Sequence, residues 1–126
     1  MMSFKRDVLI DNKFNKQFEK YWWGDDFEMS YRISRNYKLI QIPNAIIYHE
    51  NSAPTYEGRK KMWMMTVINR KYIFDEYLSS NWINYIFYYW SIIGDILIVI
   101  TQSLKSRKLD SLIGLFDGFR LLKKST

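Results

Sequence analysis

Residues 82–101, WINYIFYYWSIIGDILIVIT, constrain this chain more than any other stretch. They hold a single charged side chain, Asp95, and little that would interrupt a helix. At 1.5 Å per residue a helix of that length covers about 30 Å, the thickness of a bilayer's hydrocarbon core. On a helix at 100° per residue, Asn84, Ser91, Asp95 and Gln102 fall within roughly 40° of one another. A thin polar stripe therefore runs along an otherwise apolar cylinder. Asp95 at the bilayer centre would cost on the order of 3 kcal/mol on insertion scales. A stripe that faces a partner helix, or that lies at the membrane interface, avoids most of that cost.

Charge placement points the same way. The formal net charge of +6 is not spread evenly: residues 1–50 carry eight Lys and Arg against seven Asp and Glu, whereas 102–126 carry six against two. A nucleic-acid binder concentrates its basic surplus beside its aromatics or on its recognition element. Here the surplus trails the apolar run, which suits an anionic membrane surface and disfavours nucleic acid as a partner. With 126 residues and 48% apolar composition the chain is one small domain or part of a larger one, with enough apolar content for a core. The lack of cysteine removes disulfides and thiol chemistry.

Around that helix the pattern predicts others. A short helix covers Phe4–Ile10 behind Ser3, a turn follows at Asp11–Lys13, and Phe14 and Phe18 form one buried edge. A helix begins near Asp25, with Phe27, Tyr31 and Ile33 as its apolar side, an i, i+4 pair between Glu28 and Arg32, and Asn36 as a left-handed C-cap. Tyr37–Ile42 and Ala45–His49 read as short β-strands separated by the turn Pro43-Asn44. A helix over 57–78 follows, its Met62–Met65 cluster read as packing, and Ser79-Ser80-Asn81 ends it. The last helix, 109–124, is amphipathic, with Leu109, Leu112, Ile113, Phe116 and Phe119 on one side and basic residues on the other.

The stretch YWWGDDFEMSYR, 21–32, carries the densest chemistry. Two adjacent carboxylates after two indoles and a glycine fit an ordinary helix start, because Asp is favoured at the N-cap and in the first turn. They also fit a general base held beside an aromatic wall.

The order of features is more specific than any one of them. The runs M-S-F-K-R-D-V-L at 2–9, G-D-D-F-E-M-S-Y-R at 24–32, N-Y-K-L at 36–39 and I-P-N-A-I-I-Y-H at 42–49, with a Phe-rich turn after the first, resemble the C-terminal half of a family-2 glycosyltransferase catalytic domain. The likeness is close over about residues 2–50 and general beyond. Its Glu-Asp pair is Asp25-Asp26 here, and its G-G-F-D-E turn is replaced by Asn12–Lys16, without the glycines or acids. The resemblance implies an α/β, GT-A-like fold over 1–54 and a helical, membrane-associated extension over 55–126. It further implies that the nucleotide-binding half, with its Asp-x-Asp metal motif, would lie before Met1, so that this chain alone is inactive.

The implied activity is inverting transfer of a sugar from a nucleoside-diphosphate donor to a hydroxyl of a glycan or lipid-linked acceptor, in cell-surface glycan synthesis at the cytoplasmic face of the membrane. Asp26 matches the position of the base that takes the acceptor's proton. Asp25 matches a positioning group. Trp22 and Trp23 are placed to stack on a sugar ring, or equally to anchor a core. His49 matches a position near the metal or diphosphate, or is a hydrogen-bonded surface histidine; the metal implied is Mg2+ or Mn2+, held mainly by the missing half. The rival reading is a non-enzymatic, membrane-associated helical protein whose working part is 55–124.

Overall fold

The computed structural model describes residues 3–18, 24–46, 48 and 56–125. They form two compact units, Met1–Ala53 and Pro54–Thr126. Among the described residues 75% are helical and none is in a strand. The expected α/β, GT-A-like fold is therefore not the fold of this chain. The segment read as the strand Tyr37–Ile42 has no ladder partner, and Tyr37, Leu39, Ile40 and Ile42 stand exposed. β-Propensity expresses how well a side chain fits a pleated, half-buried surface. Without a neighbouring strand among the described residues that surface does not exist. The second run, 45–49, lies partly outside the described residues, and its described part is equally irregular.

In the first unit, α1 spans Arg6–Asp11, a 3-10 turn spans Lys16–Phe18, and α2 spans Asp25–Ser34. α2 buries Met29 and Ile33, four residues apart on one face, while Phe27 is exposed. The pairs 27/31 and 29/33 point about 200° apart on a helix, so a short helix buries one and not the other. Phe18 is buried and Phe14 is exposed, so the two do not share an edge. α2 also ends without the expected left-handed Asn36: the amides of Asn36 and Tyr37 both donate to the carbonyl of Ile33, tightening the last turn.

In the second unit, α3 spans Tyr56–Ile73 and runs directly into a π-helical turn, Phe74–Leu78. α4 spans Trp82–Ser106 and α5 spans Asp110–Ser125. Asn81 caps α4, its side-chain oxygen accepting from the Ile83 amide at 3.0 Å, which is why the apolar helix starts where it does. Arg107, in the left-handed region with φ 55°, turns the chain from α4 into α5. The core of this unit is Trp63, Val67, Val99 and Leu115, with Met62, Ile96, Leu112, Phe119 and Leu122 packed around them.

α5 lies on α3 through its small residues. A Cβ added at Gly118 would sit 2.8 Å from the Met64 carbonyl oxygen and 2.9 Å from Val67 Cβ, and one at Gly114 would run into the backbone of Lys60. Leu109 and Phe116, two of the apolar residues read as one side of this amphipathic helix, are exposed. The glycine face wins because backbones can approach only where no side chain intervenes.

Candidate functional site

Two regions carry the chemistry that the sequence singled out: the carboxylates at the start of α2 and the surface of α4. At α2, Gly24 takes up φ 93°, a left-handed conformation that glycine adopts without strain. Asp25 Oδ1 accepts from the Asp26 amide at 2.9 Å, and Asp26 Oδ1 accepts from the Phe27 amide at 2.8 Å. The two carboxylates thus occupy otherwise orphaned amides of the first turn. Asp25 is half-buried and Asp26 exposed, and among the described residues no lysine or arginine pairs with either. Asp26 is thus exposed, with one oxygen turned back onto the helix start.

The third carboxylate of the stretch behaves differently. Glu28 is buried and pairs with Arg32 at 3.0 Å, and Arg32 also donates to the Lys13 carbonyl at 2.8 Å. This ties α2 to the loop that follows α1. Trp22, Trp23 and His49 lie outside the described residues. Among the described residues no group of three histidines or carboxylates could hold a metal ion.

At α4, the polar stripe predicted from the sequence has partners. Arg70 of α3 forms an ion pair with Asp95 and donates to Ser91 Oγ at 3.3 Å. Asn84 Nδ2 donates to the Leu78 carbonyl at 2.9 Å. Phe74 stacks on Tyr88, centroids 4.4 Å apart, and meets Tyr85 edge-on at 4.7 Å. Asp95 is left 15% exposed, whereas Trp90, Leu97 and Leu104 on the opposite side are 72%, 59% and 75% exposed. α4 is long and apolar enough to cross a membrane, with a mean hydropathy of 1.6 over an 18-residue stretch. Sequence reasoning did not identify Arg70. The signal was present: an aspartate inside an apolar run calls for a cation, and Arg70 lies on the preceding helix.

The packing of α5 on α3 is also fastened by charge. Arg59 pairs with the buried Asp110, and Lys60 with Asp117 at 3.1 Å. Burial acts to raise the Asp110 pKa, but the hydrogen bond and charge of Arg59, with the Ser111 amide, outweigh it and hold it below the usual 3.8. A carboxylate depressed in the folded state adds stability above its unfolded pKa and loses it as pH falls through the folded value. Melting of the intact chain is therefore expected to be insensitive to Asp110 above about pH 4 and to decline below it. Asp110→Asn should lower the melting temperature at neutral pH and flatten that acid limb. An acid limb unchanged in the variant would show that another carboxylate controls it.

Comparison of the chain with protein-family profiles, with curated proteins and with solved structures finds no match.

Proposed function

We propose that this chain is the acceptor-side, membrane-bound part of an inverting family-2 glycosyltransferase. It would move a sugar from a nucleoside-diphosphate donor to a hydroxyl of a glycan or lipid-linked acceptor at the cytoplasmic face of the membrane, in cell-surface glycan synthesis. The observation that carries the reading is the ordered run of motifs over 2–49, with Asp26 standing exposed and oriented at the start of α2. An acceptor hydroxyl is a weak nucleophile, and a carboxylate within hydrogen-bond reach takes its proton as the new bond forms. Asp26 has that role, and Asp25, bonded to the Asp26 amide, positions it. The donor's nucleotide and its Mg2+ or Mn2+ belong to residues outside this chain. Radiolabelled transfer by the complete enzyme, with Asp26 intact and replaced, tests the assignment.

The membrane part of the proposal rests on the exposed apolar surface of α4 and the basic residues after it. That surface also supports the rival, a non-enzymatic membrane-associated helical protein, which predicts no sugar transfer under any condition. Both readings expect the intact chain to sediment with anionic vesicles and a chain lacking residues 82–126 to stay in solution. Raising salt should weaken binding only in part, since apolar burial is not screened. Complete release by salt alone would mean that α4 is not embedded.

A further inference from the structure

α4 satisfies every length and composition requirement for a transmembrane helix, but its neighbours do not allow it to be one. α3 runs antiparallel along its inner side: Phe74 meets Tyr85 and Tyr88, Arg70 meets Ser91 and Asp95, and Trp63 and Val67 share a core with Val99. Side-chain contact thus reaches α4 at Tyr85, Tyr88, Ser91 and Asp95, with Val99 in the shared core. If α4 stood across the bilayer, Asp95, near its middle, would sit near the midplane, and α3 would be carried in beside it. α3 and its π-helical turn are not apolar. Lys71 and Asp75 pair with each other at the surface, Glu76 is exposed, and Glu57 and Lys61 are exposed toward the other end. A bilayer core offers such side chains no water and no further partners, and charges there are tolerated only when turned inward.

The outer side of α4 has the opposite character. Trp82, Ile86, Trp90, Ile93, Leu97 and Leu104 line it, spaced by three, four and seven residues, and all are exposed. Tryptophan favours the boundary between headgroups and acyl chains. Where α4 ends, Lys105, Arg107 and Lys108 are exposed, and they match anionic headgroups in sign. The geometry points to α4 as a monotopic helix, lying in the plane of an anionic bilayer with its outer side among the acyl chains and α3 above it in the headgroup and water layers. The Arg70–Asp95–Ser91 contact is then the seam that holds α3 on the wet side of α4, and not a charge pair stranded in hydrocarbon. This rests on the membrane association proposed above and decides its form: the chain lies on one leaflet, and both ends of α4 face the same compartment.

The chain has no cysteine, so single cysteines report position without background. Ser80 precedes α4 and Ser106 is its last residue, and both serines are exposed, so Ser80→Cys and Ser106→Cys mark its two ends. The full chain is expressed in cells, and right-side-out and inverted membrane vesicles are treated with a membrane-impermeant maleimide. The expected result is that both cysteines label in the same vesicle orientation and that both lose labelling in the other. Labelling of the two in opposite orientations would establish a spanning helix and overturn the inference while leaving membrane association intact. Recovery of the chain in the soluble fraction would overturn the membrane association itself, and the inference with it.

Discussion

Gly114→Ala is expected to destabilise the helical unit, although alanine is the better helix former. A methyl group at this position meets the backbone of Lys60, with the carbonyl carbon at 2.8 Å and Cα at 2.9 Å. Backbone atoms in the middle of a helix cannot swing aside as a flexible side chain can, so α3 and α5 must separate. Overpacking of this kind costs about 1–3 kcal/mol, and a contact against backbone belongs at the upper end. Intrinsic helix propensity returns about 1 kcal/mol, leaving a net loss of about 2 kcal/mol. Separation also weakens the Arg59–Asp110 and Lys60–Asp117 pairs, which span the same two helices. The chain supplies its own control in Gly94, on α4, where an added Cβ has no atom within 4 Å. Gly94→Ala should leave melting unchanged or raise it by up to about 1 kcal/mol of stability. Thermal melting of the two variants by circular dichroism, in the same lipid or detergent, checks the opposite signs. Equal behaviour would mean that α5 does not dock on α3 through its glycines.

The contrast between these glycines explains what a reader of the sequence could and could not see. The apolar helix at 82–101 and its polar stripe were visible because hydropathy and a 3.6-residue period act within one element. The identity of the residue that meets the stripe was not, since Arg70 lies 25 positions before Asp95 and no local pattern connects them. The Arg59–Asp110 pair, 51 residues apart, was hidden for the same reason. Gly114 and Gly118 gave no signal because an amphipathic pattern is read from large apolar side chains, and the close backbone approach of α5 to α3 is set by residues that have none. The strands at 37–49 failed differently. A β-rich run specifies a strand only when another strand is available to pair with it, and the described part of this chain offers none. At α2, the i, i+4 pair of Glu28 and Arg32 was legible, but the burial of Glu28 was not. The two aspartates were legible as a helix start, and the structure shows each carboxylate on the next amide along.

Asp26→Asn separates the two meanings of that geometry. Asp26 accepts the Phe27 amide through one oxygen, and the carbonyl oxygen of asparagine can accept the same bond. Asparagine is as good as aspartate at a helix start, and the site is exposed, so melting of the variant should stay close to the parent. What asparagine cannot do is take a proton from an acceptor hydroxyl. Loss of a general base typically costs about 10²–10⁴-fold in rate, so sugar transfer should fall at least a hundredfold. Asp25→Asn should be milder, because Asp25 bonds the Asp26 amide and the substituted amide oxygen can keep that bond. The comparison has to be made in the complete enzyme, with its nucleotide-binding part present, and read as melting temperature and transfer on the same preparations. Reduced transfer with equally reduced melting would assign Asp26 to the fold alone. Transfer within a few-fold of the parent would remove it from the chemistry and leave the acidic start of α2 as a helix end that binds its own amides.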